Sequence, residues 1–406
     1  MDAGVSSKVI SVVDFGAVGN GVIDDTVMIQ NAINFAESIG GGVVEIPDGT
    51  YLINPNYSLY LFSNITLSLA PNTILKAIPT SSGSYSIITI RNVKNVSVTG
   101  GTLEGDRFAH IGNKGGNYGR DINIEGAQNI TISNLTVTDS WGDGIYLGND
   151  DNKVNNNNVT IKNVICNNNR RNGISLIDGS NIVIENVLAE NSKGAPPAAG
   201  IDIEPNNIHD ELNHVRVANI TTKNDAQGLQ IGLTAMRQST NPLNIFVIND
   251  HDVGSAIGLF ISTSQKNGLI TIVNSSWVNN KIQQVRQLNR SPFNDDTFLP
   301  IHTSVIFKQN IMSQPLIIQS SQLPTATVGK YYNVKLASTG GLAPYVWGLD
   351  ESVNTHLSLI PDGLVISPTG YISGTPTTPG TKKIYILVND NEHNITSKLL
   401  TLNIKK

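Results

Sequence analysis

Short apolar segments recur along the middle of the chain, each with an Asn in its third position. The clearest copies are Ile132–Leu135, Ile161–Val164, Ile184–Val187 and Val217–Ile220. With further copies at Asn249 and Asn274, the repeated Asn residues are separated by 29, 23, 33, 30 and 25 residues. A repeat of this length predicts a solenoid whose coils each contain three short strands, while loops absorb the variation in length.

A second strand repeats in step with the first and alternates between apolar and polar side chains. Its copies are Asp143–Leu147, Asn172–Leu176, Ala199–Ile203, Gln227–Ile231 and Ile257–Ile261. Successive side chains of a strand point to opposite faces, so apolar pairs such as Ile201 and Ile203 are predicted to stack in the core. The outward row then consists of Tyr146, Ser175, Asp202, Gln230 and Phe260. Neighbouring members of this row should lie about 4.8 Å apart on successive coils.

One helix is predicted before the coils begin. Apolar residues from Val27 to Ala36 recur at helical spacing, and Asp24–Thr26 supplies N-cap residues before them. Gly40–Gly42 is typical of a helix end. A single helix ahead of a long run of strands fits a lid over the apolar end of a solenoid.

The composition changes near Pro315. The coil repeat fades after about Asn280, so 281–313 is predicted to be an irregular coil with a last strand at Ser304–Phe307. Beyond it, Pro-Gly turns separate alternating strands. We therefore predict an all-β chain with two domains: a right-handed parallel β-helix with a capping helix over 1–313, and an Ig-like β-sandwich over 314–406.

The composition excludes several classes of protein. Charged residues make up 15% of the 406 residues and the formal net charge is −5, which leaves no basic face for nucleic acid. Cys166 is the single cysteine, so an internal disulfide is impossible. No stretch is long enough to span a membrane, and Met1–Ile10 lacks the features of a signal peptide.

Asp202 and Glu204 are the leading candidates for catalysis. They project from the same side of one strand, which places their Cα atoms about 6.5–7 Å apart. Inverting glycoside hydrolysis uses two carboxyls about 6.5–9.5 Å apart, and two close carboxylates split their pKa values so that one serves as acid and one as base. Asp143, on an earlier coil, is predicted to assist. The alternatives are a turn at Glu204–Asn207 beside a solvated Asp202, or a calcium site, and no other cofactor is expected.

Further polar and aromatic side chains are predicted to bind substrate. Arg170 and Arg171 suit an acidic sugar, because a guanidinium binds a carboxylate through two hydrogen bonds. Ion pairs with Asp143 or Asp178 are the alternative for these arginines. Aromatic rings stack on sugars, although packing explains them equally well. The complete set is Arg170, Arg171, Tyr146, Trp141, Gln230, Asp178, Tyr118 and Asp121.

Two parts of the chain resemble known families. Val13–Gly21, followed by Asp24–Thr26 and Ile29–Ile33, resembles the opening of pectate-lyase-superfamily β-helix proteins, which include glycoside hydrolase family 28-related enzymes and many phage tailspikes. With the coils, the resemblance extends over about residues 8–310. Pro344–Trp347 and Ile372–Pro376 resemble a bacterial Ig-like module, which implies spacing or attachment.

The resemblance to two enzyme groups is partial. Of the polygalacturonase motifs, only Asp143 has a counterpart. Mannuronan C5-epimerase modules are similar at Tyr118 and Asp121, but Asn123 stands where those enzymes have His, and Gly148 stands where they have a second Asp. These departures argue against both reactions, while the position of the motif implies the same groove.

The sequence therefore predicts a polysaccharide-degrading glycoside hydrolase that acts on a linear, neutral or acidic polysaccharide. Two alternatives stay open: a lyase or C5-epimerase-like enzyme that uses Tyr118 and Asp121, and a non-catalytic adhesin or tailspike module. We expect an extracellular protein (secreted, cell-surface or virion-associated) that is a monomer or homotrimer. Its expected partner is the polysaccharide, with neither nucleic acid nor membrane.

Overall fold

The computed structural model describes residues 8–112, 116–150, 154–236, 239–263, 268–289, 303–308, 311–312, 316–341, 343–350, 360–390 and 395–406. The chain divides into two compact units. One consists of Met1–Trp277 with Val285–Ile311, and the other of Val278–Gln284 with Met312–Lys406. The domain boundary proposed from sequence between 313 and 314 stays a prediction.

The predicted helix is present as Thr26–Ser38. Ile29 and Ile33 on its inner face are fully buried, whereas Val27, which the pattern assigned to the same face, is 63% exposed. The helix ends before Gly40, whose φ of +91° lies in the left-handed region. Within the described ranges, no helix combines the length and the apolar character needed to cross a bilayer.

One face of the solenoid is a nine-stranded parallel sheet, which we call the site sheet. In spatial order its strands are Leu59–Tyr60, Ser84–Arg91, Tyr118–Glu125, Ile145–Gly148, Ile174–Leu176, Ala199–Ile203, Gln227–Gly232, Ile257–Thr263 and Gln283–Asn289. The last strand is a correction to the irregular coil that the sequence predicted over 281–313. Of that segment, 290–302 lies outside the described residues, and the expected last strand is present as Thr303–Lys308.

Longer parallel strands form the other two faces. In order of pairing they are Lys94–Thr99, Gln128–Thr138, Asn157–Asn167, Gly179–Glu190, Leu212–Lys223, Leu243–Val253, Gly268–Val273 and Thr303–Lys308. The first coils and the connections contribute Val9–Ser11, Asn20–Asp24, Gly42–Ile46, Gly49–Ile53, Ile65–Leu69, Thr73–Ala77, Thr102–Glu104, Ser276–Val278 and Ile311–Met312, with 3₁₀ turns at Val12–Phe15 and Thr234–Met236.

The repeated Asn residues bend these long strands from one face to the next. Asn134, Asn163, Asn186, Asn219, Asn249 and Asn274 all have φ between +50° and +57°. Asn tolerates this left-handed conformation better than most residues with a Cβ. From Asn163 onward, each Nδ2 donates to the Oδ1 of the Asn on the preceding coil, at 2.7–3.1 Å. The predicted repeat is therefore confirmed, and this ladder holds the coils in register.

The predicted register of the site sheet is also confirmed. Ile145, Ile174, Ile201, Leu229 and Leu259 pair in sequence across the strands and are fully buried. The outward row pairs in the same register, from Tyr146 through Asp202 to Phe260. Inward and outward positions of each strand were therefore correctly separated by alternation alone.

The C-terminal unit is an Ig-like sandwich with its own core. Its strands are Ile317–Ile318 with Ser338–Thr339; Ala326–Thr327, Ile395–Lys405, Gly380–Asn389 and Val346–Leu349; and Tyr332–Lys335, Tyr371–Gly374 and Leu364–Ile366. Trp347, Ile372, Ile386 and Leu400 lie in that core.

Candidate functional site

A cleft of about 420 Å³ opens on the outward face of the site sheet. This volume lies in the range of small-ligand sites. Two consecutive strands, Gln227–Gly232 and Ile257–Thr263, and the turns beside them supply most of the wall. The lining residues are Arg171, Pro196, Pro197, Glu204, Gln227, Gln230, Gly232, Thr234, Phe260 and Ser262.

Arg171 links two buried carboxylates behind this wall. Its Nη1 lies 3.1 and 3.0 Å from the two carboxylate oxygens of Asp143, and its Nη2 lies 3.6 Å from Asp202 Oδ2. Burial opposes the charge of the guanidinium, but the carboxylates of Asp143 and Asp202 raise the pKa of Arg171 overall. The three side chains form one ion-pair network across neighbouring coils.

Asp202 occupies the outward row as predicted but has no exposed surface. Its Oδ2 accepts from Asn172 Nδ2 at 2.8 Å, and its Oδ1 accepts from Gln230 Nε2 at 2.9 Å. With Arg171 also beside it, the carboxyl is covered by its neighbours. The solvated Asp202 that the sequence left open as an alternative is not observed, because these side chains close over it.

Glu204 is the carboxyl that faces the cleft. It follows the strand Ala199–Ile203, it is only partly buried, and it lines the cavity. Gly232 on the next coil leaves room for it, since a Cβ there would lie 3.2 Å from Glu204 Oε1. In the part of the chain that the structure describes, no side chain donates a hydrogen bond to this carboxyl.

All three carboxyls of the site have raised pKa values. Burial raises the pKa of Asp202, and the negative charge of Glu204 adds to the effect, while Arg171 opposes it. Burial likewise raises the pKa of Glu204 against the influence of Arg171. Burial also raises the pKa of Asp143, against Arg171 and Arg120. Such a group of neighbouring carboxyls retains protons above the usual pH range of Asp and Glu.

Tyr146 lies on the outward row two coils before Asp202, but its ring is covered. The Cζ atom of Arg120 lies 3.6 Å from the ring centroid. Nη1 of Arg120 donates to Asn123 Oδ1 at 2.7 Å and lies 3.5 Å from Glu125 Oε1. A sugar approaching this end of the site sheet therefore meets the stacked guanidinium before it meets the tyrosine.

Trp141 and Arg170 pack together away from the cleft lining. The Trp141 ring is 7% exposed, stacks on His110 with centroids 3.7 Å apart, and has the Cζ atom of Arg170 at 3.9 Å. Its Nε1 donates to the carbonyl oxygen of Gly116, and Arg170 Nη1 donates to Asn117 Oδ1 at 2.6 Å. The sugar contacts expected of this pair are replaced by contacts within the protein.

Asp121 and Asp178 also lie outside the cleft. Because Ile122 pairs with Ile145, Asp121 stands in the column that Gly144 occupies on the next coil. Its carboxyl is fully buried, and burial raises its pKa well above the ordinary value. Asp178 accepts the backbone N–H groups of Asn156 and Glu211 at 3.2 and 2.8 Å, and burial raises its pKa to about 7. Both carboxyls lie in the interior instead of the groove expected from sequence.

Tyr118, the partner of Asp121 in the epimerase-like motif, lies on the surface of the same strand and is 53% exposed. The Cζ atom of Arg120 lies 5.9 Å from its ring. Tyr118 and Asp121 therefore lie apart, one exposed and one buried, and the structure brings neither to the cleft.

Several residues of the site were not predicted from the sequence. Asn172 binds Asp202 and also donates from Nδ2 to Ser175 Oγ at 2.9 Å. Ser262, Thr234 and Gln227 line the cleft. Ser262 continues the outward alternation of its strand, but alternation does not place Gln227 or Thr234 at the cleft, and nothing in their residue types singled them out. In the described ranges, no group of three or more His, Cys, Asp or Glu side chains is arranged to hold a metal ion.

Two family models match separate parts of the chain. The model described as "Rhamnogalacturonase A/epimerase, pectate lyase-like" matches residues 9–99, and the model described as "Putative Ig domain" matches residues 314–405. These are the two regions in which the sequence itself showed a resemblance.

Curated relatives match over limited stretches. The uncharacterized protein YclG of Bacillus subtilis (strain 168) is 30% identical over 220 residues, which is 48% of this chain and 38% of YclG. The plasmin and fibronectin-binding protein A of Streptococcus pneumoniae is 30% identical over 275 residues, 60% of this chain and 36% of that protein. Mannuronan C5-epimerase AlgE6 of Azotobacter vinelandii is 32% identical over 139 residues, 34% of this chain and 14% of the enzyme. The chain thus spans well under two thirds of each relative.

Solved structures share the architecture at low identity. A galactohydrolase specific for a sulfated galactose and anhydrogalactose polymer has a TM-score of 0.57 at 15% identity, covering 75% of this chain and 87% of its own. The exopolygalacturonase of Thermotoga maritima has a TM-score of 0.53 at 16% identity, covering 79% and 80%. Tailspike gp49 of Acinetobacter baumannii bacteriophage Fri1, a capsular polysaccharide depolymerase, has a TM-score of 0.51 at 15% identity, covering 98% and 80%. The chain is a right-handed parallel β-helix, whose residues 9–99 match a pectate-lyase-like family model, followed by an Ig-like domain, and the resemblance found in its sequence is confirmed.

Proposed function

We propose that this chain is a carbohydrate-active enzyme that hydrolyses a polysaccharide in the cleft of the site sheet. One observation carries the proposal: the Glu204 carboxyl lies on the cleft wall, next to an internal network in which Arg171 joins Asp143 and Asp202. Acid–base cleavage of a glycosidic bond requires one carboxyl that keeps its proton beside one that is ionised, and neighbouring carboxyls favour that division.

Glu204 is the proposed general acid. The two amide donors that Asn172 and Gln230 direct at Asp202 favour an ionised Asp202, and neither donor can accept a proton. Burial raises the pKa of Asp202 more than that of Glu204, so the assignment rests on these two donors. Because they hold Asp202 ionised, the proton retained by the pair belongs to Glu204, where it can pass to the glycosidic oxygen.

Asp202 is the proposed general base. It lies two residues from Glu204 along the strand, which places the two Cα atoms about 6.5–7 Å apart. Inverting hydrolases hold their two carboxyl groups about 6.5–9.5 Å apart, with water between them. For a water molecule to reach Asp202, the side chain of Gln230 has to turn away from it. Binding of a sugar hydroxyl to the Gln230 amide supplies a reason for that movement. Arg171 stays in place and limits the charge left on Asp143 and Asp202.

The names of similar proteins support a polysaccharide as substrate. A galactohydrolase, an exopolygalacturonase and a capsular polysaccharide depolymerase share the fold, and each is named for cleaving carbohydrate. An open cleft on stacked coils suits a linear polymer, because each coil adds another set of outward side chains. Such polysaccharides occur outside cells, so we propose an extracellular site of action.

The test is a panel of neutral and acidic polysaccharides incubated with the wild-type chain, E204Q, and E185Q as a matched control. Glu185 lies on another face, where it pairs with Arg216. We expect new reducing ends from the wild type and E185Q, and a loss of about 10²–10⁴-fold in rate for E204Q. Ultraviolet absorbance from an unsaturated product would show that the reaction is an elimination and would reject hydrolysis. E204Q cleaving at the wild-type rate would refute the assignment of the acid.

A second candidate is a non-catalytic adhesin. Two observations favour it: Asp202 is fully covered by its hydrogen-bond partners, and one relative is named as a plasmin- and fibronectin-binding protein. It predicts saturable binding to a polysaccharide or a host protein, with no product at any enzyme concentration. The same panel, read by binding as well as by product, separates the two functions.

A further inference from the structure

Phe260 is an apolar ring in an otherwise polar cleft. It occupies the outward row in register with Gln230 and Asp202, and it is partly exposed at the cavity wall. The core of its strand is already filled by Leu259 and Ile261, which are fully buried. Packing of the core therefore does not explain an aromatic ring at this position. Stacking against the flat face of a sugar ring does.

Arg286 lies beside this ring, on the next strand of the site sheet. Its Cζ atom is 5.8 Å from the centroid of Phe260. The side chain is exposed, and within the described ranges no Asp or Glu lies at ion-pair distance from it. Its positive charge is thus available to a ligand.

Three other arginines of this face already pair with carboxylates. Arg171 pairs with Asp143 and Asp202, and both Arg120 and Arg91 pair with Glu125. Arg171 therefore has no unpaired charge with which to bind the acidic sugar that the sequence assigned to Arg170 and Arg171. Arg286 has that charge.

We propose that Phe260 and Arg286 form a subsite for an acidic hexose, in which the ring of the sugar stacks on Phe260 and its carboxylate or sulfate binds Arg286. This rests on the proposed function, whose polymer it specifies. Phe260 is two strand spacings, about 10 Å, from Asp202. The subsite therefore holds a sugar next to the scissile bond and sets affinity and selectivity without taking part in proton transfer.

The experiment measures dissociation constants by calorimetry in the E204Q background, so that no polymer is consumed. The probes are polygalacturonate, a sulfated galactan, and polygalacturonate whose carboxyl groups have been reduced to alcohols. The variants are R286Q, F260A, F260L, which keeps apolar volume without a ring face, and R216Q as a control for removal of an exposed arginine elsewhere. Arg216 pairs with Glu185 outside the cleft.

We expect R286Q to weaken binding of an acidic probe about tenfold and to leave the reduced polymer unaffected. F260A and F260L should weaken binding of both the acidic and the reduced polymer, and R216Q should change neither. The uronate and sulfate arms identify which anion is bound. Unchanged binding of both acidic probes by R286Q, or a preference for the reduced polymer, would overturn the subsite alone. A protein that binds no probe and cleaves no polymer of the wider panel would overturn the proposed function and the subsite with it.

Discussion

Replacing Arg171 by Met removes the one cation between two fully buried carboxyls. Arg171 is 3.0 Å from Asp143 and 3.6 Å from Asp202, and both carboxyls are 0% exposed. Loss of one member of a buried ion pair typically costs about 3–5 kcal/mol, because the other charge stays buried. Over roughly 300 residues of solenoid, about 4 kcal/mol corresponds to a melting temperature about 6 °C lower.

The loss depends on pH, because the orphaned carboxyls can take up protons. Burial already raises the pKa values of Asp143 and Asp202, and Arg171 lowers both. Without Arg171 the folded-state pKa values rise further. A carboxyl whose folded pKa exceeds its unfolded value stabilises the fold most at low pH, and this contribution disappears as pH rises through the folded pKa. The cost of R171M should therefore grow between pH 5 and pH 8, by up to about 4 kcal/mol for each carboxyl that stays protonated across that range in the variant.

Thermal denaturation at pH 5 and pH 8 measures this difference. R216M is the matched control, since Arg216 pairs with Glu185 at the surface and should cost less than about 1 kcal/mol at either pH. Adding D202N to R171M removes one of the two charges and should recover part of the loss at pH 8. Equal destabilisation of R171M at both pH values, or none at either, would refute the view that Arg171 acts by neutralising these carboxyls.

Two further predictions concern the interior of the coils. Burial raises the pKa of Asp250 to about 7, and Trp277 Nε1 donates to it at 2.9 Å. Wild-type stability should therefore fall between about pH 4 and pH 7, and thermal melts of D250N should show a shallower fall. A Cβ at Gly200 would lie 2.9 Å from Asp225 Oδ2, so G200A should lose about 1–3 kcal/mol in chemical denaturation. G348A, which meets no atom within 4 Å, is its control, and equal stability of the two variants would contradict the steric explanation.

The fold could be predicted because its causes are local. Alternation within a strand decides which residues face the core, and a period near one coil decides which strands are neighbours. Asn134 and its successors appear in the sequence as a repeat because left-handed bends favour Asn. The strand Gln283–Asn289 was missed for the same reason: it lacks the Gly-apolar-polar-apolar pattern of the earlier coils, and only pairing with Ile257–Thr263 identifies it.

The candidate site was predictable in position but not in exposure. Alternation placed Asp202 correctly on the outward row, yet its burial depends on Asn172 and Gln230, which come from the preceding and the following coil. Similarly, Arg170 and Arg171 are adjacent in sequence, but they lie in a turn, where neighbouring side chains diverge. One contacts Trp141 and the other Asp143. The sequence alone does not show which of two neighbouring side chains crosses to another coil.

The geometry of stacked coils separates chemistry from selectivity in this cleft. Parallel in-register strands place one residue of every coil in each outward column, so Glu204 and Phe260 lie on different coils and can change independently. Substitutions at either position leave the buried columns intact, because those side chains point the other way. If Glu204 supplies the proton and Arg286 holds a neighbouring sugar, E204Q should lower kcat, whereas R286Q should raise KM and leave kcat close to the wild-type value. Equal loss of kcat in both variants would show that the two coils act as one unit and that this separation is wrong.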